Sequence, residues 1–329
     1  MRENIIQQHA ENIFSFRINL PGSPLGWINC YVVKGIDGGR DLMIDSGFNT
    51  PRCLADLKKG MAELNLQPEN TDVFFTHAHF DHLGNALNLE QMGCRLLMGR
   101  EEYDFYLMAP WNNQIKTSRK DGIPDRLRES MDVNKGCPSP GFHLNLLEEG
   151  QVLHYGGYAL ECVLTPGHTP GHLCLYDRAR KLMFTGDTVL FDITPNISYL
   201  VGSDTLTDYL HSLEKLEGYE VELALPAHKT TGGKRFLDRI HELQSHHAAR
   251  LNETERVVKS LGETTGYGAA PHMTWAFKAG SWDAFPDNQQ WFATGETLAH
   301  LVYLNTHGRL RNRITEDGIS LYSPIPEEK

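Results

Sequence analysis

The segment Thr76-His77-Ala78-His79-Phe80-Asp81-His82 places three imidazoles and one carboxylate within six consecutive positions, directly after the apolar run Val73-Phe74-Phe75. A buried strand that ends in a loop fits this pattern, and a loop can aim neighbouring side chains at more than one centre. Neutral imidazole is the commonest metal ligand. The chain carries 16 His, so a solvated surface cluster is the bland alternative, but matching donors recur downstream. His168 lies in Thr165-Pro166-Gly167-His168-Thr169-Pro170-Gly171-His172, where Pro and Gly fix a tight turn after the apolar stretch Ala159 to Leu164. Asp187 follows Phe184-Thr185-Gly186, just past the apolar stretch Lys181 to Thr185, and His228 follows Leu223-Ala224-Leu225-Pro226. Taken singly, each of these is weak. Together, four strand-to-loop junctions supply five His and two Asp, a set that suits two metal ions in one cleft and prepares metal-assisted hydrolysis.

The motifs HAHFDH, TPGHTPGH, FTGDT and PAHK, with Leu42-Met43-Ile44-Asp45-Ser46-Gly47 upstream, resemble the metallo-β-lactamase fold superfamily over about the first three-quarters of the chain. The resemblance implies an α/β class fold, an αββα sandwich. It also implies that His77, His79 and His168 hold one metal, that Asp81, His82 and His228 hold a second, and that Asp187 bridges them. Asp45 would orient the ligand loop rather than bind metal; a turn Asp before Ser-Gly is the alternative. Asp81 counts as the catalytic residue, because its loss should abolish turnover. Two ions about 3.5–4 Å apart can share a hydroxide and polarise the oxygen of an electrophile. Metal binding lowers the pKa of water from about 15.7 to about 7, so no Ser or Cys nucleophile is needed. Zinc suits His/Asp ligation best, with iron or manganese as alternatives.

Substrate is less specified, since the superfamily includes lactamases, thioesterases such as hydroxyacylglutathione hydrolase, lactonases, sulfatases, nucleases and flavodiiron reductases. Two departures narrow the field. Phe80 stands where flavodiiron proteins place a carboxylate ligand. His228 is followed by Lys229, where hydroxyacylglutathione hydrolases continue with Glu and Tyr, which weakens a glutathione-thioester assignment. Lys229 is a candidate local cation for the substrate, with a solvent-facing turn residue as the alternative.

The elements that must position these groups are readable in outline. Asn12 to Leu20, Trp27 to Lys34 and Asp41 to Asp45 read as early strands, Thr50 to Leu64 as a helix with Pro51 in its first turn, and Leu83 to Met92 as a helix leaving the His-rich loop. Val152 to Tyr155, Tyr158 to Leu164, His172 to Tyr176 and Lys181 to Phe184 form the second half of a sandwich. Between about 100 and 149 the pattern changes, with Tyr103, Tyr106 and Trp111 near a charged stretch and then Pro138 and Pro140. This stretch reads as a helical lid bordering the cleft, with Tyr103 and Trp111 as substrate contacts. An ordinary helix pair whose aromatics fill the core is the alternative. Thr205 to Leu216 is an amphipathic helix with Tyr209 on its apolar stripe, hence a core residue.

A catalytic domain over 1–240 and a small domain over 241–329 are expected, the boundary falling in the helical stretch Gly233 to Leu261. His241, His246 and His247 read as a solvated helix face. Thr274 to Lys278 and Trp291 to Leu304 look helical, and Leu310 to Ile314 with Ile319 to Tyr322 flank Asp317-Gly318, a strong hairpin signal. Helices followed by a hairpin resemble the winged-helix tail of some superfamily hydrolases. From His241 onward, 8 Lys/Arg against 11 Asp/Glu favour a packing or dimerisation module over a DNA reader.

Composition sets the remaining limits. The 329 residues are 40% hydrophobic and 22% charged, as in a globular protein with a sizeable core. The net charge of −11 disfavours nucleic acid, although a lactamase-like RNA or DNA phosphodiesterase is the runner-up function. The N-terminus turns polar too early for a signal peptide, no apolar run spans a membrane, and the six Cys form no CxxC pair. These features predict a cytoplasmic protein with free thiols. The leading expectation is a dinuclear hydrolase of a small ester-like substrate, a thioester or lactone.

Overall fold

The computed structural model describes residues 6–108, 110–131, 141–276 and 281–326, with only the backbone of 110–113. These residues divide into two compact units. The first comprises 6–108, 141–195 and 214–240; the second comprises 110–131, 196–213 and the described residues from 241 onward.

The first unit is built on two sheets. Seven strands form one sheet in sequential order: β1 (Gln7–Ala10), β2 (Ile13–Asn19), β3 (Trp27–Val33), β4 (Asp41–Ile44), β5 (Thr71–Phe75), β6 (Arg95–Gly99) and β7 (Leu144–Leu147). The first four are antiparallel neighbours, and β4 through β7 run parallel. Parallel pairs need crossovers. Helix α1 (Pro51–Glu63) lies between β4 and β5, and the short α2 (Phe80–Leu83) and α3 (Ala86–Met92) lie between β5 and β6. The Thr50 side chain caps α1 by accepting from Cys53 N, and Pro51 opens its first turn. Helix α4 (Arg100–Leu107) follows β6. The second sheet has the order β12 (Leu223–Pro226), β11 (Leu182–Gly186), β10 (Leu173–Asp177), β9 (Tyr158–Leu164), β8 (Val152–Tyr155), with only β11 and β12 parallel.

Tyr31, Leu42, Phe74 and Leu97 of the first sheet pack with Leu160, Leu175, Phe184 and Leu225 of the second. The opposite face of the first sheet, including Phe16, Val73 and Phe75, packs on Leu57, Met61, Leu83 and Leu89. Because both faces of β5 are covered, Val73-Phe74-Phe75 is a continuous apolar run rather than an alternating one. Gly60 lets α1 approach this sheet: a Cβ there would lie 2.3 Å from the Phe16 ring. Layers of helix, sheet and sheet are those of the expected sandwich.

Two short strands go beyond the sequence expectation. β1, a polar and half-exposed edge strand, carries no apolar pattern, and β7 is only four residues long.

The second unit contains α5 (Pro110–Thr117), α6 (Asp125–Ser130), the start of α7 (Thr205–Glu217), most of α8 (Phe236–Leu261), α9 (Gly266–Ala269), α10 (Asp287–Thr306) and the hairpin β13 (Leu310–Ile314) and β14 (Ser320–Pro324). Between 100 and 131 the described residues are largely helical, but α4 belongs to the first unit and α5 and α6 to the second. Arg126 binds Asp287 and Gln290 of α10, which ties α6 to the tail helix. The hairpin closes over Thr315–Gly318 as expected, Gly318 taking φ +78°. Tyr209 is fully buried.

Two expectations need correction. Thr274–Ala276 are not helical, and 277–278 lie outside the described residues. The backbone of Thr274 is bonded instead to α8 side chains, its N–H to Glu253 and its carbonyl to Arg250. His247 does not belong to a solvated face. It is 1% exposed, with its ring stacked on His300, because α10 covers this side of α8. His241 remains exposed, and His246 is half-buried.

Five cysteines, Cys30, Cys53, Cys94, Cys162 and Cys174, are free and buried; Cys137 lies outside the described residues. No helix among the described residues is long and apolar enough to cross a membrane.

Candidate metal centre

Strand β5 delivers Thr76 and the His-rich loop at its C-terminal end, where β4 delivers Asp45. Asp45 adopts φ +62°, an unusual left-handed conformation for a non-glycine residue, and is 1% exposed. Its Oδ1 accepts from the Thr76 N–H at 3.0 Å, and its Oδ2 lies 2.8 Å from His82 Nδ1. A proton on Nδ1 is thereby committed to Asp45, which leaves His82 Nε2 as a lone-pair donor. His228 is set in the same way: its Nδ1 donates to the Trp27 carbonyl at 3.0 Å. The turn that carries His228 is fixed by Asn29 Nδ2, which donates to the carbonyls of Pro226 and Lys229, and by the Tyr31 hydroxyl, which donates to Pro226.

The seven predicted side chains converge. His77 Nε2 is 2.9 Å from His79 Nδ1, and His168 Nε2 is 3.5 Å from Asp187 Oδ2. Asp187 Oδ2 also lies 3.6 Å from His82 Nε2, while its Oδ1 lies 3.5 Å from His228 Nε2. Asp81 Oδ2 is 3.3 Å from His228 Nε2, and Asp81 Oδ1 is 3.9 Å from His82 Nε2. Two donors about 2.1 Å from one tetrahedral ion sit roughly 3.4 Å apart, so these spacings fit ligands facing each other across an ion. Three overlapping groups are close enough to hold one: His77, His79 and His168; His77, His82 and Asp187; Asp81, His82 and His228. The Nε2 atoms of His82 and His228 and Oδ1 of Asp187 are buried with no hydrogen-bond partner among the described residues. Buried polar atoms are rarely left so, and a cation satisfies all three.

Electrostatics agree with the donor geometry. Burial and the neighbouring imidazoles hold His77 well below the ordinary histidine range, and burial with His168 brings His79 to about 3. Burial works to raise Asp81, yet His82 and His228 outweigh it and bring it to about 2. Asp187 is likewise held low, by His228, His82 and His168 against burial. His82 and His228 are raised, because carboxylates overcome their desolvation. Two ionised carboxylates draw positive charge into the site, where His77 and His79 resist protons and His82 and His228 take them up in the absence of another cation.

Residues that pattern reading did not assign complete the frame. Glu102, buried on α4, accepts from Ala78 N at 2.7 Å and Gly171 N at 2.9 Å, so one carboxylate ties the His77–His82 loop to the His168 loop. His172 accepts from Asp187 N at 3.1 Å through Nε2, while its Nδ1 lies 2.9 Å from the hydroxyls of Thr165 and Thr188. A Cβ at Gly186 would lie 2.3 Å from His172 Nε2, which is why glycine precedes Asp187. His172 was visible inside the repeated PGH motif, but Glu102 follows no motif.

The candidate substrate contacts are placed differently. Lys229 takes φ +61°, donates to the Leu25 carbonyl, and sits 4.4 Å from the Trp27 ring centroid. Tyr103 packs, half-buried, against the core under the first sheet, beside the buried Tyr106. The Trp111 side chain lies outside the described residues.

The chain's likeness to known proteins follows the same lines. It is 28% identical over 243 residues to the acyl-coenzyme A thioesterase MBLAC2 of Gallus gallus, covering 70% of this chain and 81% of that protein. It is 30% identical over 163 residues to the hydroxyacylglutathione hydrolase GloC of Haemophilus influenzae, covering 50% and 66%. A solved β-lactamase domain protein from Burkholderia ambifaria superposes with a TM-score of 0.80 at 26% identity, covering 97% of this chain and 93% of that one. The family model of the metallo-β-lactamase-like C-terminal domain matches residues 283–325, which include α10 and the hairpin. The metallo-β-lactamase superfamily model matches residues 25–228, a span that opens just before the Trp27 carbonyl and closes on the histidine bonded to it; this chain belongs to that superfamily and is a metal-dependent hydrolase.

Proposed function

We propose that this chain hydrolyses a small thioester at a site holding two divalent ions, zinc foremost. The observation that carries the reading is the position of Asp187, whose two oxygens face different histidines: Oδ2 faces His82 and His168, and Oδ1 faces His228. One carboxylate between two donor groups suits a bridge. His77, His79 and His168 would hold one ion, and Asp81, His82 and His228 the other. Bound there, divalent ions polarise a substrate carbonyl and bring the pKa of water towards about 7.

The remaining work falls to the chain's own residues. Asp45 and the Trp27 carbonyl hold the proton-bearing nitrogens of His82 and His228, so their Nε2 atoms keep their lone pairs turned inward. Glu102 and His172 hold the ligand loops at fixed distance, so no loop needs to reorganise during turnover. Asp81 is the ligand whose removal should most directly abolish turnover on the His228 side.

Thioester is favoured over lactone because two relatives are thioester hydrolases by name. The charge of −11 supports a small substrate over an extended polyanion. The test is metal analysis of purified protein coupled to a panel run on one preparation: acyl thioesters, lactones, a chromogenic β-lactam, phosphodiesters and single-stranded RNA. Thioester turnover with about two ions per chain is expected. Efficient RNA cleavage that disappears in Asp81→Ala would replace this reading with the phosphodiesterase.

A further inference from the structure

Next to His228 the first unit carries a small group of cations that the hydrolytic chemistry does not use. Arg17 on β2 lies opposite Asn29 of β3, and its guanidinium carbon is 4.3 Å from the centroid of the Trp27 ring. Lys229 Nζ is 4.4 Å from the same centroid. Hydrogen bonds fix the Trp27 and Lys229 part of this group. Trp27 Nε1 donates to Asn29 Oδ1 at 3.1 Å, Asn29 Nδ2 donates to the Lys229 carbonyl at 2.8 Å, and the Trp27 carbonyl receives His228 Nδ1. Lys229 spends one donor on the Leu25 carbonyl and has three in all.

Charge makes this group unusual. Elsewhere in the unit the basic residues are largely neutralised, as in Arg40 and Arg95 on Asp72, Lys34 on Asp41, and Arg100 on Glu148. Among the described residues neither Arg17 nor Lys229 makes an ion pair, in a chain whose net charge is −11. Arg17 is exposed, and Trp27 and Lys229 are half-buried, so the cations remain open to a ligand. A guanidinium fork and an ammonium point charge set on one indole ring are both donors that phosphate oxygens accept from.

We propose that Arg17 and Lys229, braced by Trp27, bind the phosphate groups of the substrate's thiol carrier. The substrate class is therefore an acyl thioester of a phosphate-bearing pantetheine, either free coenzyme A or the phosphopantetheine of a carrier protein. This rests on the thioesterase reading. Lys229 adjoins the ligand His228, while Arg17 stands one strand further away, so the phosphates lie beside the reacting centre rather than on it.

The test compares wild type with the double variant Arg17→Gln/Lys229→Gln, both changes neutral and close in length. The substrates are octanoyl-CoA, octanoyl-pantetheine and an octanoyl acyl carrier protein. In wild type at low salt, kcat/KM for octanoyl-CoA or the carrier protein exceeds that for octanoyl-pantetheine by about tenfold or more. The variant brings this ratio close to one, through KM, and flattens its salt dependence. Which of the two phosphorylated substrates leads tells the source. Calorimetric titration with coenzyme A itself, which needs no turnover, shows affinity falling about tenfold in the variant. Equal metal content in both proteins shows that the His228 turn is intact. A wild-type ratio near one, or a ratio and affinity unchanged in the variant, overturns the proposal. Failure of wild type on all thioesters alongside lactone turnover sinks the thioesterase reading instead, and the coenzyme A titration still decides the phosphate site.

Discussion

Two groups of buried histidine in this chain differ in what stands beside them. In the first unit His77, His82 and His228 are 0% exposed and surround Asp81 and Asp187, with Asp45 behind His82. In the second unit His247 and His300 are as deeply buried, with His247 Nδ1 3.2 Å from His300 Nε2. Arg250 works against protonation of both, while Glu253, itself paired with Arg250, favours it only for His300 and is outweighed. Carboxylates make the first group a receptacle for positive charge; the second excludes it. Burial is alike in the two, so the acid partners, and not burial, separate a ligand cluster from a packing pair.

The sharpest way to break this contrast is to remove the shared carboxylate. Asp187→Ala should lose metal and activity together, by roughly a thousandfold or more, beyond the 10–100-fold that loss of an outer partner costs. Elemental analysis beside turnover of the preferred thioester checks this. A variant that keeps two ions and its rate would end the bridging role. Asp45→Asn should be milder. Asn can still accept from Thr76 N, but it leaves His82 Nδ1 with a poorer acceptor. Metal affinity should fall about 10–100-fold, read by competition with a chromogenic chelator.

Glu102 sharpens the comparison in terms of stability. Burial pushes its carboxyl up to about 7 while two backbone N–H groups pull it down. Glu102→Ala leaves Ala78 N and Gly171 N buried without their acceptor, at about 1–3 kcal/mol each, so a loss of about 2–5 kcal/mol is expected in denaturant unfolding. Metal binding should weaken with it, because the two ligand loops are no longer tied. An unchanged midpoint would show that water replaces the carboxylate.

Much of the first unit was legible because its signals are local. Val73-Phe74-Phe75, Leu182–Phe184 and Leu223–Pro226 are strands covered on both faces or nearly so, and each runs directly into a His or Asp. Gly and Pro then mark the turns. Glu102 was not legible, because its function is to accept two N–H groups separated from it by 24 and 69 residues, and a buried Glu on a helix leaves no periodic trace. His247 was misread because α8 is covered by α10, a contact 53 residues away that outweighs the polar look of the Gln244–His247 stretch. The stretch 100–149 failed as a single insertion for the same reason. Its parts answer to different partners, Glu102 to the metal loops and Arg126 to α10.

The smallest effect tests the other side of the comparison, the pair that excludes charge. Burial, chiefly, brings His300 from 6.5 to about 4, and burial with His300, His246 and Arg250 holds His247 well below the ordinary range. A histidine whose folded pKa lies below its unfolded one binds fewer protons in the native state. Its contribution is therefore full above about pH 6.5 and is lost as pH falls from there towards about 4. The groups facing the pair do not reverse this sign: Tyr209 stands edge-on to His247, Glu253 favours charged His300 but is paired with Arg250 and outweighed by burial, and the half-buried Glu296 is also paired with Arg250. For His300 alone the loss amounts to about 3 kcal/mol at most, and it should fall on the second unit. His300→Gln removes one titrating ring while keeping a polar partner for His247. Denaturant midpoints compared at pH 7.5 and pH 5 should therefore drop less in the variant than in wild type. Equal drops in the two proteins would place the acid sensitivity in the carboxylate-rich centre, and the two histidine groups would then differ in ligands but not in their response to protons.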